Sequence, residues 1–120
     1  MRCAVLASGG GSNFQALIDR RSAGDLHVDF AVLIGNNSNA PVFERARNNG
    51  IPTEHCAPSH FDTDKQYAQR LAGIFKEYEV DLIVLAGFMK KIPASIVSAY
   101  RNRIVNIHPA LGTWIFLHAV

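Results

Sequence analysis

The sequence predicts an α/β fold: an open, Rossmann-like, mostly parallel sheet of about five strands with helices on both faces. Three observations predict it. Short continuous runs of Val, Ile, Leu and Ala, the composition of strands buried on both faces, alternate with stretches whose apolar residues recur at helical spacing. Gly, Asn, Asp and Pro stand at the junctions between them. The chain has 120 residues, 48% hydrophobic and 18% charged, which suffices for one core and excludes intrinsic disorder.

The first strand is Cys3 to Ala7 (CAVLA), followed by a helix over Ser12 to Arg21 with Phe14, Leu17 and Ile18 on one face and Gly24 as its stop. Phe30 to Ile34 (FAVLI) is the second strand. Pro41 to Asn49 starts with Pro and ends at Gly50, the asymmetry expected of a helix. A weaker run, Ile51 to Cys56, reads as the third strand. From Asp64 to Tyr78, residues Tyr67, Leu71, Ile74, Phe75 and Tyr78 form a clear apolar stripe. Leu82 to Ala86 (LIVLA) is the fourth strand, Pro93 to Tyr100 a short helix, and Arg103 to Ile107 the fifth strand. Strands alternating with helices give parallel pairing through crossovers. We divide the chain into one domain, 1–111, and a divergent apolar tail, 112–120.

Twelve Lys and Arg oppose ten Asp and Glu, a net charge of +2, and the basic residues are scattered. No nucleic acid partner is expected from that balance. Cys3 and Cys56 form neither a disulfide framework nor a CxxC pair. The apolar N-terminal run is too short for a signal peptide, and no segment reaches membrane-spanning length. A cytoplasmic protein with no membrane partner is the expectation. His55, Cys56 and His60 lack a fourth partner for zinc, so no metal is expected; His27 and His118 read as structural or exposed.

In an open parallel sheet, ligands bind beyond the carboxyl ends of the strands. There, the first strand runs into Ser8-Gly9-Gly10-Gly11-Ser12-Asn13 and a helix. Glycines let backbone approach a ligand, and the amides of a helix N-terminus attract an anion such as phosphate. The same residues also suit a plain turn before a capped helix. A dinucleotide fingerprint is absent, lacking its third glycine and the acidic residue after strand two; a Gly-Lys-Ser/Thr P-loop is absent as well.

The fifth strand ends in Asn106-Ile107-His108-Pro109. Residues two apart share a strand face, so Asn106 and His108 stand together at the ligand edge. An amide donor beside an imidazole suits acyl transfer through a tetrahedral intermediate. A strand-end pair that only closes a turn has the same sequence.

Four segments together carry a specific resemblance: Ala4 to Asn13 (AVLASGGGSN), Phe43 to Ala46 (FERA), Leu85 to Lys90 (LAGFMK) and Asn106 to Leu111 (NIHPAL). In order and spacing the chain resembles the glycinamide ribonucleotide (GAR) transformylases, or phosphoribosylglycinamide formyltransferases, among the folate-dependent formyltransferases. The resemblance implies formyl transfer from 10-formyltetrahydrofolate, as cosubstrate, to the amine of GAR in purine synthesis. It implies phosphate contacts at Gly11, Ser12 and Asn13, catalysis by Asn106 and His108, and folate contacts at Met89, Lys90, Ile92 and Asn106. The basic folate contact near Asp64 and Lys65 is left unassigned, because Asp64 stands where the family often has Arg. The implied partners are small molecules, and a homodimer is allowed. The family continues into a C-terminal half with an acidic residue that orients the histidine, whereas no acidic residue follows Asp81 here. A truncated chain that binds phosphate but transfers formyl groups weakly is therefore expected. The alternatives are a non-catalytic phosphate-binding or interaction module, and another folate formyltransferase such as methionyl-tRNA formyltransferase.

Overall fold

A computed structural model describes the backbone of residues 1–110 and 113–118, and side chains through Ile107. Six strands form one sheet in the order β3-β2-β1-β4-β5-β6. They are β1 (Arg2–Ala7), β2 (Asp29–Gly35), β3 (Thr53–His55), β4 (Leu82–Leu85), β5 (Ile104–Ala110) and β6 (Thr113–His118). The first five are parallel, and β6 pairs antiparallel with β5. The helices are α1 (Ser12–Ser22), α2 (Val42–Asn48), α3 (Asp64–Glu77) and α4 (Ala94–Ala99). Among the described residues no helix is long and apolar enough to cross a membrane.

The alternation of side chains along each strand divides the core in two. Cys3, Val5, Ala7, Val84 and Ile107 join Phe14, Leu17 and Ile18 of α1 and Val42, Phe43 and Ala46 of α2. Ala4, Leu6, Ile83, Leu85 and Ile104 face the other way, onto Tyr67, Leu71, Ile74 and Phe75 of α3 and Ile96 of α4. One irregularity interrupts this pattern. Cys3 pairs with Phe30 but Ala4 pairs with Val32, so β2 carries an extra residue. That bulge turns Phe30 onto the α1 side. There its ring meets Phe14 edge-on at 5.7 Å and lies 4.6 Å beneath the Arg21 guanidinium.

Helix ends follow local chemistry. Gly24 and Gly50 stop α1 and α2 in left-handed geometry, with paired bonds such as Asp25 N–H to Arg20 O and Ile51 N–H to Ala46 O. α3 starts with a capping box, in which Thr63 accepts from the Gln66 N–H and the Gln66 side chain accepts from the Thr63 N–H. The third strand is only Thr53–His55, shorter than Ile51 to Cys56, because it forms the sheet edge and pairs with β2 alone. A 3-10 turn at Pro58–His60, absent from the sequence reading, leads into α3.

Candidate functional site

Strand order reverses between β1 and β4, since β2 and β3 lie on one side and β5 on the other. The segments leaving β1 and β4 therefore diverge and leave a crevice at the carboxyl edge of the sheet. Two hydrogen bonds join them across it. Ser8 N–H donates to Gly87 O at 3.3 Å, and Met89 N–H donates to Ser8 Oγ at 2.8 Å. The Ser8 hydroxyl in turn donates to Asn36 Oδ1 at 2.6 Å, so one side chain ties together the exits of three strands.

Gly11 is the residue that opens α1. Its φ of 83° is left-handed, and a Cβ there would lie 2.7 Å from Val42 Cγ2. Glycine is thus required both by the turn and by the approach of α2. The first helical bond runs from Gln15 N–H to Gly11 O at 2.8 Å. Among the described residues no side chain caps α1, and no acidic residue lies in its first turn. The amides of Ser12, Asn13 and Phe14 are left to an outside acceptor, at the end where the helix dipole favours negative charge. Asn13 reaches across the crevice, its Nδ2 lying 3.8 Å from where a Cβ on Gly87 would stand.

The segment after β4 faces two ways. Met89, anchored through its amide to Ser8, leaves its side chain 81% exposed. Lys90 lines a cleft of about 870 Å³ between the start of α3 and the start of α4, along with Asp64, Lys65, Tyr67 and Lys91. Ile92 packs instead against the α3–α4 core. Of the four residues proposed from sequence for the folate, three lie on this segment: Lys90 borders the cleft, Met89 projects to solvent and Ile92 supports the loop from beneath, while Asn106 lies on β5. Among the described residues the buried Tyr67 hydroxyl has no hydrogen-bond partner, and burial pushes it up to about 12.

Asn106 lies in register with Leu85 of β4, which is in register with Leu6 of β1. Leu6 and Leu85 belong to the α3–α4 core, so Asn106 continues their row on the sheet face that carries the cleft. Its half-buried amide has no partner among the described residues. The backbone of His108 continues β5 opposite Ile115. The side chain of His108 lies outside the described residues, as do Leu111 and Gly112.

Two residues at the crevice carry roles that sequence reasoning missed. In the sequence Ser8 is only the start of the glycine run. Arg45 stood within the Phe43 to Ala46 match with no role attached, yet its Nε donates to Gly10 O at 2.8 Å. Away from the crevice, the His55 and His60 rings meet edge-on at 5.0 Å. Among the described residues no three His, Cys, Asp or Glu side chains gather as metal ligands would.

The formyl transferase model matches residues 1–116, nearly the whole chain. The chain belongs to the formyl transferase family. It is 44% identical over 112 residues to the trifunctional purine biosynthetic protein adenosine-3 of Drosophila melanogaster, covering 92% of this chain and 8% of that protein. To the phosphoribosylglycinamide formyltransferase of Escherichia coli it is 39% identical over 111 residues, covering 92% of this chain and 52% of the relative. Among solved structures, glycinamide ribonucleotide transformylase 1 from Geobacillus kaustophilus superposes with a TM-score of 0.85 at 38% identity, over 92% of this chain and 58% of that one. This formyl transferase chain thus spans about half the length of its bacterial relatives.

Proposed function

We propose that this chain supplies the phosphate-binding loop and the reaction-centre strand of a phosphoribosylglycinamide formyltransferase. The reaction moves a formyl group from 10-formyltetrahydrofolate to the amine of GAR. The observation that carries the reading is the convergence of the glycine loop, the segment after β4 and the Asn106 end of β5 at one switch point. The relatives named phosphoribosylglycinamide formyltransferase support it.

In this reading the GAR phosphate sits on the amides of Gly11, Ser12 and Asn13. The folate lies on the other side of the segment after β4, along the α3–α4 face. There Lys65, Lys90 and Lys91 outnumber Asp64 and suit its carboxylated tail. The GAR amine attacks the formyl carbon, forming the new C–N bond as the formyl oxygen takes up charge. Asn106 donates to that oxygen, and His108 as a cation stabilises it. Collapse breaks the bond from carbon to N10, which leaves with a proton relayed by His108 while the attacking amine loses one. Holding both substrates in one crevice makes the encounter effectively intramolecular.

Calorimetric titration of the purified chain with GAR and with tetrahydrofolate, beside an assay of formyl transfer, tests the proposal. Asn106→Ala should leave GAR affinity unchanged and lower the transfer rate by roughly 10²–10³, the usual effect of deleting one oxyanion donor. Failure to bind either ligand, or transfer at an undiminished rate by Asn106→Ala, would overturn it.

A further inference from the structure

We propose that Arg45 is a positioning residue for the phosphate loop: by holding the Gly10 carbonyl it turns the Gly11 N–H toward the anion. This rests on reading the glycine loop as the GAR phosphate site. The peptide between Gly10 and Gly11 is trans, so its C=O and N–H point in opposite directions. Arg45 Nε fixes the C=O at 2.8 Å on the α2 side, and the N–H is thereby directed away from α2. Among the described residues no other hydrogen bond holds the Gly10 C=O or the Gly11 N–H, and glycine backbone turns over easily.

The contact is built rather than incidental. The Arg45 stem packs against Gly11, with Cδ 3.0 Å from where a Cβ would stand, and Nη1 lies 3.5 Å from Gln15 Oε1 in the first turns of α1. α2 is itself seated by buried Val42, Phe43 and Ala46. Arg45 forms no ion pair among the described residues, so its charge stays available to a nearby anion. A guanidinium that grips a carbonyl beside an anion site both orders the backbone and raises the local potential.

The test compares wild type with Arg45→Met, which retains the stem but lacks the guanidinium. GAR affinity should fall by about tenfold or more, while tetrahydrofolate affinity and the melting temperature stay near wild type. In wild type, saturating GAR should also shift the Gly11 amide resonance, a readout that needs no variant to fold. Equal GAR affinity in Arg45→Met would overturn the role of Arg45 alone, whereas a Gly11 amide indifferent to GAR would overturn that role and the Gly11 contact together. A wild-type chain that does not bind GAR would overturn the phosphate-site reading, and this role with it.

Discussion

Gly11 and Ser8 concentrate the site's requirements in two small residues. A methyl group on Gly11 would meet Val42 at 2.7 Å in a backbone conformation with φ of 83°, so strain and overlap add. Gly11→Ala should cost about 2–4 kcal/mol in urea unfolding, from the left-handed penalty and the displacement of α2. Ser8 acts differently, since its hydroxyl accepts from Met89 and donates to Asn36 in a solvent-accessible crevice. Ser8→Ala should cost only about 1 kcal/mol in stability. Its larger effect should be on the folate proposed to lie against the segment after β4: tetrahydrofolate binding, followed by calorimetry, should weaken more than GAR binding. Equal weakening of both ligands would argue against that division. The placement of Gly11, Ser12, Asn13 and Asn106 at strand ends on the carboxyl edge was legible in the sequence, because each sits in a short motif next to an apolar run; their roles are those proposed above. The contacts of Ser8 and Arg45 were not legible, because each acts on atoms that only the folded chain brings near, 28 and 35 residues away.

At the scale of elements, α3 shows how a helix is bounded and where its boundary can be improved. The capping box at Thr63 and Gln66 satisfies its first amides, and its end repeats the geometry of α1 and α2. Glu79 N–H bonds Lys76 O and Val80 N–H bonds Phe75 O, but the left-handed position is occupied by Glu79, with φ of 53°, rather than by glycine. Glu79→Gly removes the Cβ strain and gives back part of the gain through a freer unfolded chain. A net stabilisation of about 0.5–1 kcal/mol should appear as a higher urea midpoint, and a lower midpoint would contradict the strain argument. The helices and the central strands were readable from periodicity and punctuation. The bulge that sends Phe30 to the α1 face was not, because an unbroken apolar run such as FAVLI does not record which side each residue takes. The third strand is shorter than its apolar run for a related reason, since Ile51 and Cys56 are buried beyond the paired residues Thr53–His55, Cys56 adding only its N–H, to Gly35 O.

For the molecule as a whole, the parallel sheet places its ionisable interior groups where only their neutral forms are comfortable. Cys3, on β1 in the core facing α1 and α2, is pushed up to about 11 from 9.0 by burial. Tyr67, under the cleft, is pushed up to about 12 from 10.0, again chiefly by burial and then by nearby Cys56. The unfolded chain releases these protons earlier than the folded one, so folded protein binds more protons as the pH rises. The stabilisation is therefore complete below pH 9, and the Cys3 share is lost between about pH 9 and 11. The Tyr67 share is lost between about pH 10 and 12. Among the described residues the ion pairs Arg2–Asp29 and Arg70–Glu54 are partly exposed and contribute little to stability. Alkali should thus reveal the protein's interior. Urea midpoints taken from pH 8.5 to 11 should decline by an amount corresponding to about 2 kcal/mol for Cys3. Cys3→Ala should start from a lower midpoint, because it leaves a small void, yet decline less steeply between pH 9 and 11. A wild-type midpoint that stays level across that range, or a variant whose slope matches wild type, would place the thiol in contact with water and remove it from the alkaline response.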